Sequence, residues 1–271
     1  MTWISSTEGN VWQKSKVKLQ SKSEQNPVLQ VDGTENGVAF KNWGTTFNEL
    51  CWDALGLLTR TEQDEILYNI FSPQGDLRIT RGRISMGAND YARSWYSCDE
   101  VEGDFELRYF NINRDKQTII PFIRAAQKYN PNLTFWISPW CPPSWMKING
   151  DYPVLSSPFN SLSEKQNYLL YGATGGQVDE NEMKLTGARD GVFPRQLATT
   201  DFMIQDPRYL QTYADYFCRF IDAYKEQGIP IDMVMYQNEA YSYTPYPGCA
   251  WTATGLSLIH ISEPTRLDVI S

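Results

Sequence analysis

The period of the apolar positions changes from segment to segment along this chain, and each change marks an element. In the first forty or so residues "VWQKSKVKLQ" alternates, "NPVLQVDGTENG" ends in a turn cluster and "VAFKNWGTTF" resumes, which predicts short strands, the last being a first core strand. The period then lengthens. In "TRTEQDEILYNIFSP" Ile66, Leu67 and Ile70 share a face, Thr59 precedes Glu62 at capping-box spacing and Pro73 stops the run, so a helix is predicted. "DLRITRGRISMG", Asp76 to Gly87, reads as a strand. "KQTIIPFIRAAQKYN" reads as a helix with Ile119, Ile123 and Ala126 on one face and Pro121 near its first turn. The nearly continuous apolar run in "NLTFWISPWCPPSW" has the look of a strand buried on both faces, cut off by Pro142 and Pro143. Leu210, Tyr213, Ala214, Phe217, Ile221 and Tyr224 recur at helical spacing as far as a cap at Gly228, and "IDMVMYQNE" follows as another strand. The polar stretch from about Lys147 to Asp206 is predicted as an elaborated loop.

Alternating strands and helices in this order build a parallel sheet with helices outside. An open doubly wound sheet and a closed (β/α)8 TIM barrel share that order. The open sheet would carry a glycine-rich phosphate loop after its first strand, and "NWGTTFNEL" has none. Polar residues gather instead at the C-terminal ends of several strands: Asn89 and Asp90, Trp140, then Asn238 and Glu239. That is where barrels place their active residues. The predicted fold class is α/β, the N-terminal half of a TIM barrel of about four βα units over residues 38–255, preceded by strands of a small side domain over 1–37.

Composition narrows the chemistry. The chain has 271 residues and a net charge of −8, with no lysine or arginine run to track phosphates, so no nucleic-acid partner is expected. No stretch approaches the apolar length that spans a bilayer, and no signal-peptide core opens the chain. The five cysteines show no CxxC pair, so neither a disulfide framework nor a zinc site is expected. The single histidine, His260, lies in "LSLIHISEPTR", which resembles the in-frame translation of a transposase sequencing-library adapter; residues 256–271 are therefore expected to be an artefact tail. Without them the segment has no histidine, which removes Ser-His-Asp, Cys-His and histidine-liganded metal chemistry.

A strand-end carboxylate beside aromatic rings suits glycoside hydrolysis, which runs on two carboxyl groups. On this reading Glu239 donates the proton from a partly desolvated pocket and Asn238 bonds the sugar 2-hydroxyl. Taken alone, "NE" is a very weak signal, since a strand-end glutamate is ordinarily just solvated. Asp90 could merely cap a turn and Arg83 could be a buried structural ion pair.

Three motifs in order raise the first reading: "RISMGANDY" (83–91), "WISPWCPPSWMKINGD" (136–151) and "YQNEAYSYTPYPGCAWT" (236–252). Together they resemble glycoside hydrolase family 30, the retaining barrels that include glucosylceramidases and endo-β-1,6-glucanases. The resemblance implies Asp90 for sugar hydroxyls, Trp140 for stacking, Asn238 for the 2-hydroxyl, Glu239 as general acid/base and Arg83 as a basic residue that organises the carboxylates. It also implies no cofactor, a β-linked glucoside or glucan as substrate, no stable membrane insertion, and an extracellular or periplasmic place of action. The family's nucleophilic glutamate belongs to strand seven and has no counterpart here, so the chain itself is expected to be inactive. Ala240 and Cys141 stand where the family more often has proline and serine. A different reading, a non-catalytic carbohydrate-binding fragment, would keep the tryptophans and need no proton donor.

Overall fold

The computed structural model describes residues 2–16, 43–162, 201–240, 242–252 and 254–255, so the adapter-like segment 256–271 and most of the predicted elaborated loop lie outside the described residues. The chain divides into two compact units, Met1–Lys41 and Asn42–Ser271. In the first, β1 (Thr2–Thr7) and β2 (Asn10–Lys16) form an antiparallel hairpin around Gly9, whose φ of +77° suits the tight turn.

The second unit is built on a parallel sheet of β3 (Gly44–Phe47), β4 (Arg81–Ser85), β5 (Thr134–Ser138) and β6 (Ile231–Val234). The order is strictly sequential. A doubly wound sheet reverses its strand order partway, whereas a barrel adds each strand beside the last, and four successive neighbours follow the barrel rule. Phe47 stands opposite Ile84, Ile84 opposite Ile137 and Ile137 opposite Val234, with one register shift, between Phe135 and Trp136, where β5 meets β6.

Each crossover is helical for legible reasons. After β3 comes α1 (Glu49–Gly56), N-capped by Asn48, whose side chain accepts the amide of Cys51 at 2.9 Å. The predicted capping box starts α2 (Arg60–Phe71): the Thr59 hydroxyl accepts the Glu62 amide, and Glu62 accepts the Thr59 amide at 2.8 Å. After β4 a long loop ends in a 3-10 turn at Asp115–Gln117 and enters α3 (Ile119–Gln127), which buries Ile119, Ile123 and Ala126 as the spacing requires. After β5 the chain reaches α4 (Pro207–Glu226), capped by Asp206 with proline in its first turn. Its buried stripe is Tyr213, Tyr216, Phe220 and Tyr224, one position round from part of the predicted face, because Phe217 and Leu210 only flank the core. The structure adds α1 to the elements read from the sequence and shortens the second strand from 76–87 to Arg81–Ser85.

Alternation along the strands sorts two surfaces. Phe47, Gly82, Ile84, Phe135 and Ile137 are buried toward the helices, where the Phe47 ring lies 5.7 Å from Phe71 and 4.8 Å from Phe122. Arg83 and Trp136, half-buried, alternate onto the other surface, so β5 is not buried on both faces as its composition suggested. The last strand of the described sheet, β6, leaves Met233 and Val234 exposed, as is Met235 beyond it. No helix among the described residues is long and apolar enough to cross a membrane.

Candidate active site

A pocket of about 210 Å³ opens at the C-terminal ends of all four parallel strands. Thr46 comes from β3 and Asn48 from the cap of α1 just after it, Arg83, Asp90 and Tyr91 from β4 and the loop after it, Trp140 from just past β5, and Asn238 and Glu239 from the segment after β6. All five residues singled out in the sequence, Arg83, Asp90, Trp140, Asn238 and Glu239, meet there.

Arg83 sits at its centre. One Nη2 donates to Asn238 Oδ1 at 2.6 Å and to Ser138 Oγ at 3.2 Å, and the guanidinium lies 4.1 Å from the Trp140 ring centroid and 5.0 Å from that of Trp136. The alternative of a structural ion pair does not hold, since the hydrogen-bond partners of Arg83 are neutral. Burial pulls its pKa below the ordinary arginine value, and the charges of Asp90 and Glu239 work against that pull. Trp140 is buried at 5% exposure with one ring face under the guanidinium, so it serves the pocket as a wall more than as an open platform.

Asp90 is presented by a turn that its neighbour builds. Asn89, buried, donates to Gly87 O at 3.1 Å and accepts the Tyr91 amide at 2.8 Å, an Asx arrangement that turns Asp90 outward to the rim. At Gly87, with φ +80°, a Cβ would press on the Tyr96 carbonyl at 2.9 Å. The Asp90 carboxyl is raised above its ordinary range by partial loss of water first and by Glu239 as well, while Arg83 opposes the shift.

Glu239 holds a left-handed backbone at φ 50°, which costs a non-glycine residue about 1–3 kcal/mol and persists only where its surroundings fix it. The fixing bonds are present. The Asn238 amide donates to Pro139 O at 2.7 Å, Ser242 N to Glu239 O at 2.9 Å and Trp251 N to Ala240 O at 2.9 Å. The Tyr246 hydroxyl donates to Glu239 Oε2 at 2.9 Å, and the Tyr246 phenol is held above its ordinary pKa by burial first and then by that carboxylate. The expectation of a partly desolvated Glu239 is corrected: the residue is exposed, because β6 ends the described sheet and no described residue covers its far side. Tyr246, Gln237, Thr46, Asn48 and Tyr91 were not singled out in the sequence. Tyr246 and Gln237 lie within the third motif, where only a tyrosine- and proline-rich loop was apparent.

Cys141 is buried and donates to Tyr152 O at 3.4 Å, and burial pushes its thiol up to about 11, so it is no nucleophile. Among the described residues no group of three or more His, Cys, Asp or Glu could hold a metal.

A sequential parallel sheet with its polar pocket at the C-terminal strand ends defines a barrel of the (β/α)8 type. More particularly, residues 40–157 match the glycosyl hydrolase family 30 TIM-barrel domain. That segment contains Arg83, Asp90 and Trp140, while Asn238 and Glu239 lie beyond it. The chain is 27% identical over 241 residues to putative glucosylceramidase 4 of Caenorhabditis elegans, covering 88% of this chain and 38% of that protein. It is 26% identical over 231 residues to endo-1,6-beta-D-glucanase neg1 of Aspergillus fumigatus, covering 83% and 40%. Among solved structures, SrfJ from Salmonella typhimurium superposes with a TM-score of 0.59 at 17% identity, covering 93% of this chain and 46% of that one. An endo-β1,6-glucanase superposes at 0.53 with 23% identity, covering 78% and 37%. These two likenesses concern the fold. The chain spans only about a third to two fifths of the length of the curated glucosylceramidase relatives it matches.

Proposed function

We propose that this chain is part of a retaining β-glycoside hydrolase acting on a β-linked glucoside or glucan, with Glu239 as its general acid/base. The observation that carries the reading is the junction of Glu239 and Asn238 with Arg83 and Asp90 around one pocket at the strand ends. Asn238 has its Oδ1 bonded to Arg83, which leaves its amide hydrogens free to orient toward a sugar 2-hydroxyl. Arg83 also carries positive charge toward both carboxylates, which keeps two acids in one cavity from excluding each other. Asp90 at the rim accepts from sugar hydroxyls, and Trp140 shapes the wall. The relatives named glucosylceramidase and endo-1,6-β-glucanase support the substrate class.

Retention needs a second carboxylate that attacks the anomeric carbon. Asp90 is read as a hydroxyl ligand, and the family resemblance places the nucleophile on a seventh strand with no counterpart in this sequence, so the 271-residue chain alone is expected to turn over no glycoside. Binding is the proper test of this chain. Titration with methyl β-glucoside, followed by the indole N–H signal of Trp140, should saturate and should weaken in Asp90→Ala and Asn238→Ala. No saturable binding by the wild-type chain would overturn the reading, and turnover of an aryl β-glucoside would overturn the missing nucleophile.

A further inference from the structure

Gln237 is buried at 4% exposure immediately before the Asn238–Glu239 pair, and all its side-chain bonds go to the frame of the pocket. Its Nε2 donates to Trp140 O at 2.6 Å and to Asn238 O at 2.8 Å, and its Oε1 accepts the indole N–H of Trp251 at 3.3 Å. The first bond ties the segment after β6 to the end of β5. The third ties it to the loop that returns at Trp251, whose own amide bonds Ala240 O.

The second bond is the informative one. The Asn238 carbonyl belongs to the peptide plane joining Asn238 to Glu239, and turning that plane is what changes φ of Glu239. Glu239 stands at φ 50°, a region a residue with a Cβ does not keep unless held there. We infer that Gln237 is the positioning residue that locks this peptide plane, and so aims the Glu239 carboxylate and the Asn238 amide into the pocket. The inference rests on the acid/base and 2-hydroxyl roles proposed above. Gln237 touches no substrate, and its effect passes through its two neighbours.

The geometry makes the lock specific to an amide at this position. The Nε2 group supplies a donor to each of two carbonyls while Oε1 serves the indole, a combination that leucine cannot supply at all and that glutamate supplies only when protonated, with one donor instead of two. The site therefore separates a lock from a filler: an apolar side chain of similar volume keeps the packing and loses the aim.

The test uses the full chain, labelled at glutamate, as wild type, Gln237→Leu and Gln237→Glu. The first readout is the backbone conformation of Glu239, from its H–N–Cα–H coupling and α-carbon shift. Wild type should show the left-handed signature, Gln237→Leu should lose it, and Gln237→Glu should keep it in part at low pH and lose it as the carboxyl ionises. The second readout is the affinity ratio between methyl β-glucoside and its 2-deoxy analogue. Wild type should prefer the complete sugar by about fivefold, the worth of one hydrogen bond, and the ratio should fall toward one in Gln237→Leu. A general loss of stability would weaken both ligands equally and leave the ratio unchanged. A left-handed Glu239 retained in Gln237→Leu overturns the lock. Should Gln237→Leu not fold, the Gln237→Glu pH series decides, and a Glu239 conformation indifferent to ionisation overturns it. A wild-type chain that holds the left-handed Glu239 but does not distinguish the two sugars sinks the role of Asn238, while the coupling still decides Gln237.

Discussion

Asp115 offers the sharpest quantitative prediction because its burial is complete and its partners are few. It lies at 0% exposure in the turn that ends the long loop after β4, the loop that carries Asp90 to the pocket. The Tyr96 hydroxyl donates to one oxygen at 2.7 Å and the Tyr224 hydroxyl of α4 to the other at 2.6 Å. Burial pushes this carboxyl from 3.8 up to about 6, against the two phenol bonds, which lower it. The sign follows directly. The native state holds a proton that the unfolded chain has already released, so stability is greatest below pH 4 for this group and is lost as pH rises through 6. A gap of that size corresponds to about 2 kcal/mol between pH 4 and pH 7.5. Asp115→Asn keeps the shape and removes the titration. Urea unfolding across that range should show the wild-type midpoint falling by roughly 1 M more than that of the variant. Asp99, also pushed up to about 6, titrates in the same sense, but it is present in both chains and cancels in the difference. Parallel pH profiles for the two proteins would refute the reasoning.

Three further outcomes follow from other contacts. Arg83→Lys loses the planar stack on Trp140 and the fork geometry toward Asn238, and should weaken binding of methyl β-glucoside about tenfold in a titration while leaving the fold intact. Gly82→Ala would press a methyl to 2.5 Å from Phe47 Cε2 and 2.9 Å from Phe135 Cδ1, so denaturation should show about 1–3 kcal/mol of destabilisation from overpacking. In Glu239→Gln the Tyr246 phenol loses the negative acceptor that helps hold it above its ordinary value of 10, and its ring-carbon signal should titrate at lower pH than in wild type.

What could be read from the sequence was what local chemistry decides. Thr59 and Glu62 cap α2 through bonds spanning three residues, and the inward faces of α3 and much of α4 follow from spacing alone. The eight-residue α1 escaped because it is short and its buried face is sparse. The strand-end residues could be found as a set because a parallel barrel sends every C-terminal strand end to the same rim. Their connections could not. Arg83 reaches Asn238 across 155 positions and Gln237 reaches Trp140 across 97, so neither pattern nor propensity carries them. The left-handed Glu239 ran against its local preference and needed the tertiary bonds to be seen.

The central claim is that Glu239 donates the proton to a departing sugar oxygen. The direct test takes the longest reading frame that contains this chain and measures hydrolysis of dinitrophenyl and methylphenyl β-glucosides by wild type and Glu239→Gln. A good leaving group departs without a proton and a poor one needs the acid. A loss of about 100-fold or more in kcat/KM is expected on the methylphenyl substrate, with bond cleavage of the dinitrophenyl substrate, followed as the first burst of phenolate, much less affected. Equal losses on both substrates, or no wild-type hydrolysis of either, would contradict it.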